Sequence, residues 1–267
     1  MSDFEFILVD SPAEGVRRIT LNRPEKRNAL NNALRSELFR ALEAHDRDRE
    51  VKCSILRGAG KCFSSGYDLG SDLANDQPYY TAGGDGAWSR HVTQGWTGIW
   101  DLAKPVIAQV HGYALAGGSE LAAACDLVYV AGEAKIGYPV VRVISPPDMQ
   151  FHPWLVGLRR SMELMLTGDS IDGSEAAAIG FANRAYPESE LETRVVEIAE
   201  RIAQVPSDLQ QLNKRSVHRA MEIMGVRTAL RAGSELQALA THQESVKAVM
   251  ENALASMKQA TRAGGSE

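Results

Sequence analysis

The chain has 267 residues, 44% hydrophobic and 24% charged, enough apolar material for a sizeable core in one large domain or two small ones. Its net charge of −5 argues against a nucleic-acid-binding surface, and it has no apolar run of the roughly 18 residues that a bilayer span needs. Cys53, Cys62 and Cys125 are widely spaced, which fits reduced thiols better than zinc or disulfide chemistry, and the acidic start MSDFEFILVD has no secretory pattern, so a cytoplasmic location is expected.

Two apolar runs, residues 4–9 and 16–21, flank the turn-prone segment 11–15 and predict a β-hairpin. The stretch Asn22 to Arg27 breaks that pattern. Leu34, Leu38, Ala41 and Leu42 then fall at helical spacing, giving an amphipathic helix from Asn31 to about Asp48. Residues 53–56 read as a strand and 58–66 as a loop. The polar, glycine-containing segment 70–86 reads as a mobile surface loop. Helical spacing returns over 88–103 and leads into a strand at 106–110. A loop punctuated by Pro139, Pro146 and Pro147 is expected over 132–150. Helices are expected over 154–167, 173–179, 188–204, 207–224 and 234–258, with Gly225 as a stop between the last two. Strands alternate with helices early and helices alone follow, so the fold class is α/β with a helical C-terminal part. The residues 263–267 read as a disordered tail, and no internal repeat is visible.

Residues 104–129, KPVIAQVHGYALAGGSELAAACDLVY, carry the most chemistry. A strand enters a loop with Gly112, Gly117 and Gly118, and a helix follows with Glu120 in its first turn. Unsatisfied N–H groups at a helix start sit at the positive end of the dipole and favour anions. A carboxylate three residues past Gly117 is close to whatever those groups polarise, which outlines an oxyanion stabiliser beside an acid or base. A plain strand–turn–helix joint, with glycines for packing, explains the same stretch equally well taken alone.

Four segments together change that balance: LNRPEKRNALN (21–31), GKCFSSGYDL (60–69), KPVIAQVHGYALAGGSELAAACD (104–126) and LTGDSIDGSEAAAIGFAN (166–183). In this order and spacing they resemble the crotonase superfamily, the enoyl-CoA hydratase/isomerase family. The resemblance implies a crotonase-like spiral of ββα units over 1–200, a helical trimerisation region over 201–262, and a homotrimer or dimer of trimers. It also implies a coenzyme A thioester as substrate, with no separate cofactor, metal, nucleic-acid or membrane partner. Carried over by position, the backbone N–H groups of Ser65 and Gly117 would hold the thioester oxygen as negative charge develops on it, and Glu120 would move protons. Lys26, Arg27, Ala29, Leu30, Ser64, Gly66 and Asp68 would cradle coenzyme A, with Asp68 closing its loop by local bonds. Tyr67, Tyr138 and Val140 would line the acyl pocket.

One departure bears on the reaction. A standard hydratase carries a second glutamate after a Phe-Gly-x-Pro pattern, which here reads Ile136-Gly137-Tyr138-Pro139 and is followed by Val140. Valine neither binds nor protonates water, and losing a positioned acid or base costs roughly a hundred- to ten-thousand-fold in rate. Asp148, eight residues on, occupies the place of the proton-shuttling carboxylate of dienoyl-CoA isomerases and of the nucleophile of a chlorobenzoyl-CoA dehalogenase. Glu120 and Asp148 are therefore a candidate pair for double-bond isomerisation, with hydrolysis through an Asp148 ester as an alternative and a catalytically inactive coenzyme A-binding protein as another. Asp148 as a turn residue after Pro146-Pro147 is an equally ready reading. Arg142 and His152 read as scaffolding, Trp96 and Trp100 as a buried helix face, and Lys214 and Arg215 as a solvated face.

Overall fold

The computed structural model describes residues 4–71, 73, 75–249, 251 and 252. Its opening hairpin pairs β1 (Ile7–Ala13) with β2 (Val16–Leu21) in antiparallel register, Ile7 opposite Leu21. Gly15, at φ +71, makes the tight reversal, a conformation in which glycine carries no steric penalty. The helix α1 (Asn32–Arg47) begins where the sequence places it, because the Asn31 side chain accepts the Leu34 N–H at 2.9 Å and so caps a first-turn donor.

From there the chain alternates. β3 (Cys53–Gly58) runs parallel to β2, and α2 (Ala87–Asp101) leads to β4 (Val106–Val110), parallel to β3. All five residues of β4 are buried, as expected of a strand covered on both faces. After a turn at Gly112, β5 (Tyr113–Leu115) opens a second layer, and α3 (Gly117–Ala124) returns the chain to β6 (Leu127–Ala131) beside β4. β7 (Lys135–Gly137) then pairs with β5. The six-stranded sheet thus has the order β1-β2-β3-β4-β6-β9, and β5, β7 and β8 (Ile171–Asp172) form the smaller sheet. Each passage from large sheet to small sheet to helix is one ββα turn. Stacking these turns buries a continuous core that includes Leu21, Leu34, Leu56, Val110, Leu121 and Val130. β9 (Arg184–Tyr186) closes the large sheet and α7 (Glu188–Ala203) packs across it.

Three sequence expectations need correction. The loop expected over 132–150 contains β7, a strand too short for a period of two to be visible. The helix expected over 154–167 is two, α4 (His152–Leu155) and α5 (Gly157–Thr167), because Gly157 at φ +73 breaks the helical path. After α6 (Gly173–Ala178) and α8 (Ser207–Ile223), α9 spans Val226–Ala240 rather than starting at Ser234, and turns interrupt the helix at 241–243. Gly225 at φ +93 does separate α8 from α9. Gly233, inside α9, faces the Asp148 backbone, and a Cβ there would make ordinary contact at 3.4 Å from the Asp148 carbonyl oxygen. The end of the helix expected to Lys258 and the tail at 263–267 lie outside the described residues. Among the described residues no helix is long and apolar enough to cross a membrane.

A single asparagine ties the loop after β2 to the loop after β3. Asn28 is fully buried at φ +53; its Nδ2 donates to the carbonyls of Ala59 (2.9 Å) and Cys62 (2.8 Å), and its Oδ1 accepts the Arg23 N–H at 3.0 Å. Asn28→Ala removes the partner of one buried backbone group, the Cys62 carbonyl, at about 1–3 kcal/mol before relaxation, and of two part-buried ones at less. We expect a loss of roughly 3 kcal/mol in the urea-unfolding free energy, and a midpoint unchanged from wild type would contradict this account.

Candidate active site

The site assembles at the joint between the two sheets. β5 ends at Leu115, and Ala116 takes the unusual φ +48, turning the chain sharply into α3. The amides of Ser119 and Glu120 both donate to the Ala116 carbonyl, at 2.9 and 3.1 Å. Gly117 N–H, the first in the helix, has no acceptor among the described residues. Gly118 must be glycine, since a Cβ there would lie 2.5 Å from the Ser64 carbonyl oxygen.

The loop 62–68 lies directly against this turn. Its amides are mostly engaged: Ser64 N–H donates to Tyr113 O (3.0 Å), Gly66 N–H to Ser64 Oγ (3.2 Å) and Asp68 N–H to Leu30 O (3.1 Å). Ser65 N–H donates to Arg27 O at 3.0 Å. That corrects the expectation for Ser65, whose donor is already occupied by the chain itself. Tyr67 N–H has no acceptor among the described residues and takes its place as the open amide opposite Gly117. The two loops touch: a Cβ on Gly66, at φ +107, would sit 3.3 Å from Gly117 N.

Two carboxylates flank these amides. Glu120 is 2% exposed, with Oε2 at 2.7 Å from the Tyr67 hydroxyl and Oε1 accepting the Met149 N–H at 3.1 Å. Asp148, 3% exposed, lies next to Met149 and leaves Oδ1 without a hydrogen-bond partner among the described residues. Burial raises the pKa of both. Glu120 stands well above the ordinary carboxylate range, first because of desolvation and then because of the Asp148 charge. Asp148 is raised to about 6 by desolvation, held back by the Ser89 and Tyr138 hydroxyls and the Arg35 guanidinium. Arg35 itself is fully buried among the rings of Phe39, Trp88 and Trp96, at 5.9, 5.2 and 5.3 Å.

A cavity of about 440 Å3 opens onto this group, within the size range of small-molecule sites. Its wall is mainly apolar and includes Tyr67, Trp88, Tyr138, Val140, Ile144 and Asp148, so the residues expected in the acyl pocket do meet. Ser65 is also in the wall, as is the end of α9 with Gln237 and Thr241. Glu120 is not in the wall: the Tyr67 ring stands between it and the cavity. Lys26 and Arg27 are exposed and Ala29 half-buried, whereas Leu30, Ser64 and Gly66 are interior and hold the loops in place rather than facing a ligand. Asp68 accepts the Gly70 N–H at 3.1 Å and pairs with Arg23 at 2.9 Å, so it does fasten its loop.

The other candidates are scaffolding. Arg142 bonds the Thr167 carbonyl and pairs with Asp169, and His152 Nδ1 meets Gln150 Oε1 at 2.7 Å while burial lowers its pKa to about 4. Trp96 is fully buried and Trp100 packs against Phe151 and His218. Lys214 is not on a solvated face: it is buried, donates to the carbonyls of Ile99 and Lys104 at 3.0 Å each, and pairs with Asp126 at 2.9 Å. Sequence reasoning missed Tyr67 as an amide donor and as the cover of Glu120, and missed Arg35 beside it, while Trp96 lies on the buried helix face expected of it. The only sequence signal was a tyrosine inside a glycine-containing loop.

Open amides, an apolar cavity and two buried acids form the apparatus of an enzyme that does acid–base chemistry on an acyl group. The family model described as Enoyl-CoA hydratase/isomerase matches residues 12–259. The chain is 37% identical over 249 residues to the Mycobacterium tuberculosis protein named "Putative enoyl-CoA hydratase EchA13", covering 85% of this chain and 78% of that one. Among solved structures it is similar to an enoyl-CoA hydratase/isomerase from Xanthobacter autotrophicus Py2, with TM-score 0.81, 32% identity and coverage of 93% and 97%. It is also similar to a monofunctional enoyl CoA isomerase from M. smegmatis, with TM-score 0.65, 29% identity and coverage of 81% and 94%. The chain belongs to the enoyl-CoA hydratase/isomerase family.

Proposed function

We propose that this enzyme moves a carbon–carbon double bond along an enoyl-CoA thioester, with Asp148 as the base, and that hydration is at most a slow side reaction. The observation that carries this reading is the state of Asp148: a buried carboxylate in the cavity wall, with Oδ1 unpartnered and its pKa raised to about 6 by burial. Such a group is ionised at neutral pH yet strong enough as a base to take a proton from the carbon next to a thioester.

The thioester oxygen would rest between the Tyr67 and Gly117 amides. Removing the C2 proton places negative charge on that oxygen, and fixed donors stabilise the charge without reorganising, by about 3–4 kcal/mol for one donor in the best-measured case. The apolar wall of Trp88, Val140 and Ile144 keeps water away from the resulting dienolate. The exposed cations Lys26 and Arg27 suit the phosphates of coenzyme A. The absence of a carboxylate at Val140 removes the second group with which a two-glutamate hydratase holds and splits water.

The test is a direct comparison of two substrates. A 3-enoyl-CoA should be converted to the conjugated 2-enoyl-CoA at least about a hundredfold faster than crotonyl-CoA is hydrated. Rapid hydration with slow isomerisation would overturn the reading. The rate constant kcat/KM should rise with pH through about 6, because the base must be ionised.

A further inference from the structure

Tyr67 separates Glu120 from the space where a substrate would sit. Its ring lies so close to Gly117 that a Cβ there would fall 2.7 Å from ring atoms Cε2 and Cζ. Its oxygen is 2.7 Å from Glu120 Oε2 and 2.9 Å from Trp96 Nε1. The other carboxyl oxygen of Glu120 is held by Met149 N–H at 3.1 Å. The side-chain hydrogen bond from Glu120 to the cavity wall runs through Tyr67, which lines the cavity, and Asp148 is its charged neighbour there.

The donor inventory gives this contact a direction. An indole N–H can only donate, so the Tyr67 oxygen accepts from Trp96. A phenol has one proton and two lone pairs. If Glu120 is the protonated partner, its O–H fills the second lone pair and the phenol proton is free to point into the cavity.

We propose that Tyr67 is the proton donor to the substrate, recharged by Glu120, and that Glu120 never touches the substrate. This rests on the isomerase reading above. In the first step Asp148 takes the C2 proton; the C2–H bond breaks, an O–H bond forms on Asp148, and the electron pair moves onto the thioester oxygen as a dienolate. In the second step C4 takes the Tyr67 proton, the Glu120 O–H breaks, and its proton rebuilds the Tyr67 O–H. The electron pair returns to form C2=C3 and the thioester carbonyl. Tyr67 ends as it began, Glu120 ends ionised and Asp148 ends protonated. Passage of one proton from Asp148 to Glu120 restores the starting state, and no oxidant or reductant enters.

The experiment measures two events on one substrate, a 3-enoyl-CoA in deuterated water: exchange of the C2 hydrogens by mass spectrometry, and formation of the conjugated thioester by absorbance. In Tyr67→Phe, isomerisation should fall roughly a hundredfold or more while C2 exchange falls less than about tenfold, since the backbone donor and Asp148 remain. Equal losses in both would make Tyr67 a structural residue and overturn the relay, as would isomerisation at the wild-type rate. A wild-type enzyme that neither exchanges C2 nor isomerises would remove the isomerase reading and the relay with it. Should Tyr67→Phe fail to fold, the wild-type solvent proton inventory decides: two protons in flight give a bowed dependence on deuterium fraction, and a linear dependence refutes the relay.

Discussion

Asp148→Asn should abolish turnover and stabilise the protein in the same stroke. Asparagine keeps the size of the side chain, but it cannot accept a proton from carbon. Turnover of a 3-enoyl-CoA and its C2 exchange should both fall by roughly a hundred- to ten-thousand-fold. The stability change follows from burial. The native-state pKa is raised from 3.8 to about 6, so the folded protein binds more protons than the unfolded chain between those values. Stability is fully present below about pH 4, declines as pH rises through about 6, and stays at the lower level above it. Two units at about 1.4 kcal/mol each give roughly 3 kcal/mol, which the amide does not lose. Tm should therefore be several degrees higher than wild type at pH 7.5, with the gap closing toward pH 4. The groups facing Asp148 are Glu120, Tyr138, Ser89 and Arg35, so removing its charge also lowers the pKa of Glu120. A less stable Asp148→Asn at neutral pH would mean that the carboxylate is well solvated, and the proposed base would lose its rationale.

Gly117→Ala should be almost as damaging to turnover, for a steric reason. The added methyl would sit 2.7–2.9 Å from three carbons of the Tyr67 ring, and that ring cannot move aside without breaking its contacts to Glu120 and Trp96. Both amides proposed to hold the thioester oxygen, those of residues 67 and 117, would shift. Loss of one oxyanion donor costs about a hundred- to a thousandfold in kcat, and we expect at least that, in kcat rather than in KM. Gly98→Ala is the control. It lies in α2 with nothing within 4 Å of an added Cβ, so alanine should leave turnover unchanged and add about 0.5–1 kcal/mol of stability. Equal turnover in Gly117→Ala and wild type would show that these amides do not hold the substrate.

Much of the fold was legible from local pattern. α1, β2, β3, α2, β4 and α3 appear where apolar spacing and capping residues put them, because burial of one face imposes its period on the sequence, whereas the first strand, expected over 4–9, runs from Ile7 to Ala13 into the expected turn. Glu120 beside Gly117, and Asp148 as its partner, could also be named from the chain. What a one-dimensional reading could not give is which groups remain free. Whether Ser65 or Tyr67 offers its amide depends on which carbonyls of the 27–30 segment come alongside, and those are more than thirty residues away in sequence. The expected start of the last helix at Ser234 lies inside α9, which begins at Val226 directly after Gly225. Lys214 looks like a surface charge until Asp126 and two carbonyls enclose it. The sequence by itself determined most of the longer elements, which are written in short-range spacing, and the family, through the resemblance of four segments in order. Tertiary structure decided that Tyr67 covers Glu120 and that Asp148 faces the cavity, because burial and hydrogen-bond satisfaction are set by segments that meet only once the chain is folded.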